Sequence, residues 1–115
     1  MTTQVPVSEA ELQQAVIDFA HLLGWRVAHF RPAQNSRGGW RTPVSADGAG
    51  FPDLVLARNR EVVIAELKSQ VGRLRPEQTE WLAALAAIDP ADRRLRTFVW
   101  RPSDWFDGSI AEALR

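Results

Sequence analysis

Two apolar runs, Leu54-Val-Leu-Ala57 and Val62-Val-Ile-Ala65, stand on either side of a short polar stretch, Arg58-Asn-Arg-Glu61. Their β-branched content and the brief separator favour an antiparallel hairpin, with Asn59 able to take the positive φ of a tight turn. A turn centred on Asn59–Arg60 places Asp53, just before the first run, close to opposite Glu66, just after the second. Strand side chains alternate faces, so Glu66 and Lys68 point one way and Leu67 the other. The second run reads as a strand buried on both faces, which makes charges at its end unusual. Two carboxylates and an ammonium therefore converge at one end of the hairpin.

Carboxylates that meet without a counter-charge repel, and one pKa rises unless a cation bridges them. A hard divalent ion answers that need: Mg²⁺ takes one or two carboxylates and completes its shell with waters and phosphate oxygens. The Leu67 backbone carbonyl, lying between Glu66 and Lys68, could add a ligand. Such an ion acidifies a water and polarises a phosphoryl oxygen. A neighbouring lysine orients the attacking water or offsets the charge that develops. Phosphodiester hydrolysis suits this geometry best. The plain alternative is a turn-capping Asp53 after Pro52, with Glu66 and Lys68 paired on a solvated strand face.

The rest of the chain supplies a sheet with helices packed on it. Ser8 suits an N-cap with Glu11 three residues on, and Leu12, Val16, Phe19, Ala20 and Leu23 then form one helical stripe that Gly24 ends. Trp25 to Phe30 alternates as a strand. Residues 31–50, punctuated by Pro32, Gly38, Gly39, Pro43, Gly48 and Gly50, read as a long structureless loop of the functional or mobile kind. Pro76 opens a second helix carrying Trp81, Leu82, Leu85 and Ile88, which Asp89-Pro90 stops. Arg96 to Trp100 forms a last strand, and Ser103-Asp104 caps a short closing helix that includes Trp105 and Ile110 to Leu114.

The chain has 115 residues, 45% of them hydrophobic, and no cysteine. That length supports one domain over residues 1–115. The composition excludes a disordered or collagenous chain, and the lack of cysteine excludes a disulfide framework or thiolate metal site. No apolar run approaches the ~20 residues of a membrane span. The opening residues show no secretory signal, so the expected compartment is the cytoplasm. Net charge is zero but unevenly spread: residues 1–23 sum to −3, 24–76 to +5, 77–92 to −4 and 93–115 to +2. The basic middle is where a phosphate backbone would sit. Lys68 is the only lysine beside 13 arginines. Within the long loop, Arg31, Ser36, Arg37 and Arg41 are the candidates for contact with nucleic acid, with Trp40 as a surface for a base.

Gly50-Phe-Pro-Asp-Leu-Val-Leu-Ala57, Val62-Val-Ile-Ala-Glu-Leu-Lys-Ser69 and Leu74-Arg-Pro-Glu-Gln78 followed by Trp81-Leu82 together resemble the VRR-NUC branch of the PD-(D/E)XK nucleases. This is the virus-type replication-repair nuclease group, related to Holliday-junction resolvases. The first helix, Gly24-Trp25 and the Trp100-Arg-Pro-Ser-Asp-Trp105 ending also fit. The resemblance implies an α/β restriction-endonuclease-like core, a single mixed sheet in the order α-β-β-β-α-β-α flanked by helices. It implies Asp53 and Glu66 as metal ligands, Lys68 as the catalytic lysine and Gln78 as the helix glutamine at the site's edge. Family members often add a glutamate from the first helix. Glu9 extends the buried stripe and fits the spacing to Gly24-Trp25, whereas Glu11 already has a capping role.

The expected activity is thus a Mg²⁺- or Mn²⁺-dependent DNA endonuclease, selective for branched, flap or Holliday-junction DNA, working as a homodimer. A helicase or replication partner is not specified by these residues. The alternative is a non-catalytic nucleic-acid-binding module on the same fold.

Overall fold

The computed structural model describes residues 8–30, 33–34, 40–41 and 45–115. Helix α1 (Glu9–Leu22) starts at Ser8, whose hydroxyl accepts the Glu11 backbone N–H at 3.1 Å, as the Ser8/Glu11 spacing predicts. It ends in a Schellman motif: Gly24 takes φ +87, its N–H reaching the His21 carbonyl and the Trp25 N–H the Ala20 carbonyl. Strand β1 (Arg26–His29) follows, and then two very short strands, β2 (Ala33–Gln34) and β3 (Trp40–Arg41), pair antiparallel with each other. The stretch 31–50 is therefore not wholly structureless, since a small ribbon is built into it.

The hairpin forms as its sequence requires. Strand β4 (Leu54–Arg58) pairs antiparallel with β5 (Glu61–Leu67), from Arg58 opposite Glu61 to Leu54 opposite Ala65. Asn59 and Arg60 make the turn, with φ +49 and +68. Helix α2 (Pro76–Ala86) then carries the chain to β6 (Leu95–Trp100), which lies parallel to β5. The main sheet has the order β1-β4-β5-β6 and is mixed. The spacing of Ile88 predicts a place on the helical stripe, but α2 ends before it and Ile88 is 66% exposed. The closing helix is split into α3 (Pro102–Phe106) and α4 (Ser109–Leu114), because Gly108 takes φ +86 between them. Arg101, not Ser103, is the N-cap residue of α3.

The register decides which side chains share a face. Leu54 and Leu56 of β4, with Val63, Ala65 and Leu67 of β5, line one side and are fully or almost fully buried. Leu12, Val16 and Ala20 of α1 and Ile110, Ala113 and Leu114 of α4 cover them. The Trp25 indole N–H donates to the Leu114 carbonyl at 2.8 Å, and Arg96 Nη2 to the Ala113 carbonyl at 3.0 Å, so α4 is tied back to the sheet. Arg58 donates to the Leu23 carbonyl at 2.9 Å and stacks over the Trp25 ring at 4.4 Å, fixing the exit of α1. The opposite face, that of Glu66, receives the start of α2.

Arg60 holds a left-handed conformation that costs an ordinary side chain about 1–2 kcal/mol, and its side chain is exposed. Arg60→Gly, giving the Asn-Gly pair that this turn prefers, should raise the melting temperature by about 4 °C. A calorimetric scan showing an unchanged or lower midpoint would contradict the turn assignment.

Candidate active site

The hairpin register continues past its last ladder pair. Leu54 faces Ala65, so Asp53 comes level with Glu66, and the Asp53 carboxylate accepts the Leu67 backbone N–H at 2.8 Å. The approach to Asp53 is built for one geometry. Gly50 takes φ +86 against the first turn of α2, where a Cβ would stand 2.6 Å from Glu77 Cγ and 2.8 Å from the Glu77 backbone carbon. No other residue fits there without moving the helix. Phe51 packs edge-on between Phe30 and Trp81, with ring centroids at 5.7 and 5.0 Å, and the Trp81 indole donates to the Asp47 carbonyl at 2.8 Å. The Phe30 N–H reaches the Asp53 carbonyl at 2.9 Å, so β1 braces Asp53 from its other side.

Glu66 is the most demanding residue of the group. Its side chain is only 2% exposed, at the end of a strand buried on both faces. One oxygen, Oε2, accepts the Gln78 amide at 2.6 Å, while Oε1 is buried and no donor reaches it. Burial raises the Glu66 pKa to about 8; a hydrogen bond with Asp53 and the charge of Asp53 push the same way, while Lys68 pulls it down. Two carboxylates make such a bond only by sharing a proton, so Glu66 stays largely protonated at neutral pH when no cation is present.

Gln78 sits in the first turn of α2, 8% exposed, and both ends of its amide are engaged. Its Oε1 accepts the Arg75 N–H at 2.8 Å while its Nε2 holds Glu66. It is thereby a strut between the helix start and Glu66 rather than an amide left pointing at solvent. Glu9, at the start of α1, does approach the cluster. Burial raises its pKa, Asp53 raises it further, and Lys68 and a hydrogen bond from the Ser69 N–H lower it. Glu11 lies two residues on, about 200° round the helix from Glu9, with its backbone N–H on the Ser8 hydroxyl. Lys68 follows the last residue of β5, its own N–H bonded to the Trp100 carbonyl at 3.0 Å.

Glu9, Asp53, Glu66, Lys68 and Gln78 thus converge from four segments of the sequence, and the Leu67 backbone lies among them. Arg31, Ser36 and Arg37 fall outside the described residues, and Arg41 is described only as part of β3. One contributor leaves no side-chain signal in the sequence: Ser69 acts through its backbone N–H.

The donors suit a hard cation. All are oxygens, and Glu66 Oε1 is a buried acceptor that lacks a donor. Among the described residues no group of three or more His, Cys, Asp or Glu side chains is placed to hold a metal ion, so the protein offers two carboxylates at most. An ion held by two carboxylates and otherwise by water, substrate oxygens and a carbonyl matches Mg²⁺ better than a metal that requires an all-protein shell.

The raised Glu66 pKa has a stability consequence. The folded state holds this proton more tightly than the unfolded chain does. Its contribution is therefore complete below about pH 4.5 and is lost as pH rises through about 8, on the order of a few kcal/mol. Glu66→Gln, which keeps the Gln78 bond, should match wild type at pH 5 and exceed it at pH 8.5 in urea unfolding with chelator present. A difference that does not change with pH would contradict the buried carboxyl pair.

The VRR-NUC domain family model matches residues 9–89, well over half of the chain, and spans Glu9, Asp53, Glu66, Lys68 and Gln78. Nothing among the curated proteins or the solved structures matches the chain. No helix of the described residues is long and apolar enough to cross a membrane. A mixed four-stranded sheet flanked by helices, with the acidic hairpin at its centre, is the core this family resemblance leads one to expect. The chain belongs to the VRR-NUC domain family, and its domain is of the nuclease type, with DNA as the implied substrate.

Proposed function

We propose that the protein is a metal-dependent DNA endonuclease that hydrolyses phosphodiester bonds, with Asp53 and Glu66 holding Mg²⁺ or Mn²⁺ and the Leu67 carbonyl as a further ligand. The observation that carries this reading is the pair itself: two carboxyls meet, one of them buried with an oxygen that no donor reaches. A protein that only bound DNA would gain nothing from burying an acid where phosphates approach. Bound there, the ion supplies Lewis-acid polarisation of the scissile phosphoryl group and lowers the pKa of water.

The chain's own residues do the rest. Lys68 reaches the same cluster, where its ammonium hydrogen-bonds the attacking water and offsets charge gathering on the phosphate. Gln78 fixes the rotamer of Glu66 by its 2.6 Å bond, so the carboxylate is already oriented when it loses its proton. Glu9 sits on the side of Lys68 and Ser69 and helps to hold the lysine and solvent in place. Arg31, Ser36, Arg37 and Arg41, within the basic stretch 24–76, are the residues proposed to contact the DNA backbone. Selectivity for branched, flap or Holliday-junction DNA, in replication, repair or recombination, follows from the family likeness and completes the proposal.

Wild-type protein should cut a panel of labelled linear, flapped and four-way DNAs with Mg²⁺ or Mn²⁺ and stop in chelator. Glu66→Gln and Lys68→Ala should each lose about a hundredfold or more while keeping the wild-type circular dichroism. A clean preparation that leaves every substrate uncut with either metal would overturn the enzyme. If it holds DNA equally well in chelator, it is a binding module instead.

Two symmetric cuts across a junction need two sites, so the working form is proposed to be a homodimer. Light scattering should give twice the 12.9 kDa chain mass for the free protein at high concentration, and two chains' mass plus that of the DNA in the junction complex. A monomer under all conditions would remove that part.

A further inference from the structure

After β5 the chain turns tightly over Ser69–Gly72, with the Gly72 N–H on the Ser69 carbonyl at 3.2 Å. This turn carries Lys68 at its entrance and the Ser69 N–H that bonds Glu9. Nothing apolar anchors it, since Val71 at its tip is 88% exposed. Its hold comes from the neighbouring strand. Because β6 runs parallel to β5 with Trp100 opposite Leu67, Lys68 and Arg101 leave the sheet side by side.

Arg101 Nη1 donates to the Ser69 carbonyl at 2.7 Å and the Gly72 carbonyl at 2.6 Å, closing both ends of the turn with one nitrogen. Both bonds are short and charge-assisted, the stronger kind. Arg101 is itself fixed, its backbone N–H held by Asp104 at 2.8 Å. A second tie runs beside it: Gln70 accepts the Ser103 N–H at 2.9 Å and donates to the Ser103 hydroxyl at 3.1 Å. The stem of Lys68 rests on the same turn, with Cδ 3.6 Å from where a Gly72 Cβ would stand.

We propose that Arg101 is a positioning residue for Lys68: its guanidinium locks the Ser69–Gly72 turn and so sets where the lysine ammonium stands relative to Asp53 and Glu66. Arg101 lies beyond the 9–89 segment that the family model matches. The proposal rests on the reading of Lys68 as the residue that assists water attack. Arginine suits the task because its guanidinium is planar and rigid, which fixes the directions of the two Nη1 hydrogens; a freely rotating lysine ammonium lacks that fixed geometry.

The test is cleavage by Arg101→Ala and Arg101→Lys with Mn²⁺, joined to hydrogen exchange of the backbone amides. Displacing a catalytic group by about an ångström costs roughly a hundredfold. Arg101→Ala should therefore lower kcat by about 10- to 100-fold with KM for DNA within about twofold of wild type, and Arg101→Lys should recover only part. Exchange should quicken in residues 69–72 and stay unchanged in α1 and β4. Wild-type kcat in Arg101→Ala, or a loss confined to KM, would overturn the proposal. So would unchanged exchange in the turn, or faster exchange spread over the whole sheet in both variants. If wild type itself cuts nothing, the nuclease reading fails and the positioning role fails with it. Exchange confined to the turn would then leave Arg101 as a clamp with no catalytic purpose.

Discussion

Asp53 and Glu66 are driven together by a hairpin register that neither carboxyl would choose. The two-residue turn at Asn59–Arg60 fixes the pairing of β4 with β5, and a slip of one residue would turn Leu54, Leu56, Val63 and Ala65 away from α1. Hydrophobic burial on one face of the sheet therefore dictates electrostatic repulsion on the other. The core selects the register, and the register brings the two acids into contact.

Much of the surrounding structure makes that contact tolerable. Gln78 gives one Glu66 oxygen a donor, and the Leu67 N–H gives Asp53 one. Lys68 adds a positive charge that favours ionised Glu66 and Glu9. One Glu66 oxygen is left without a donor, and a buried polar atom in that state is costly. A proton relieves the repulsion in the free protein, and a divalent ion would relieve it while leaving open positions for substrate. Stability and function pull in opposite directions here, which is common where groups are preorganised for chemistry. The close fit of Gly50 against Glu77 serves the same end, holding the strand that bears Asp53 against the helix that bears Gln78.

The hairpin, its turn and the meeting of Asp53 with Glu66 were all legible in the sequence, because period-two burial and a short polar turn leave little choice of register. The capped first helix and its Gly24 ending were equally plain, since each depends on residues within a few positions of one another. What could not be read was non-local or carried by the backbone. Residues 33–34 and 40–41 pair through main-chain bonds that their side chains do not announce. Gly108 broke the closing helix in two, and Ile88 fell outside a helix whose spacing seemed to include it. Arg101 reaches the Ser69–Gly72 turn from about thirty positions away, so only the parallel pairing of β5 with β6 reveals its target. Gln78 was placed at the site from resemblance, but its partner proved to be Glu66 itself.

The central claim is that the two carboxyls are one cation site that exchanges a proton for a divalent ion. Calorimetric titration of Mn²⁺ into the metal-free protein at pH 7, in two buffers of different ionisation enthalpy, tests it most directly. The account predicts saturable binding accompanied by proton release, with both lost in Glu66→Gln. Binding that persists unchanged in that variant, or that releases no proton in wild type, would contradict it.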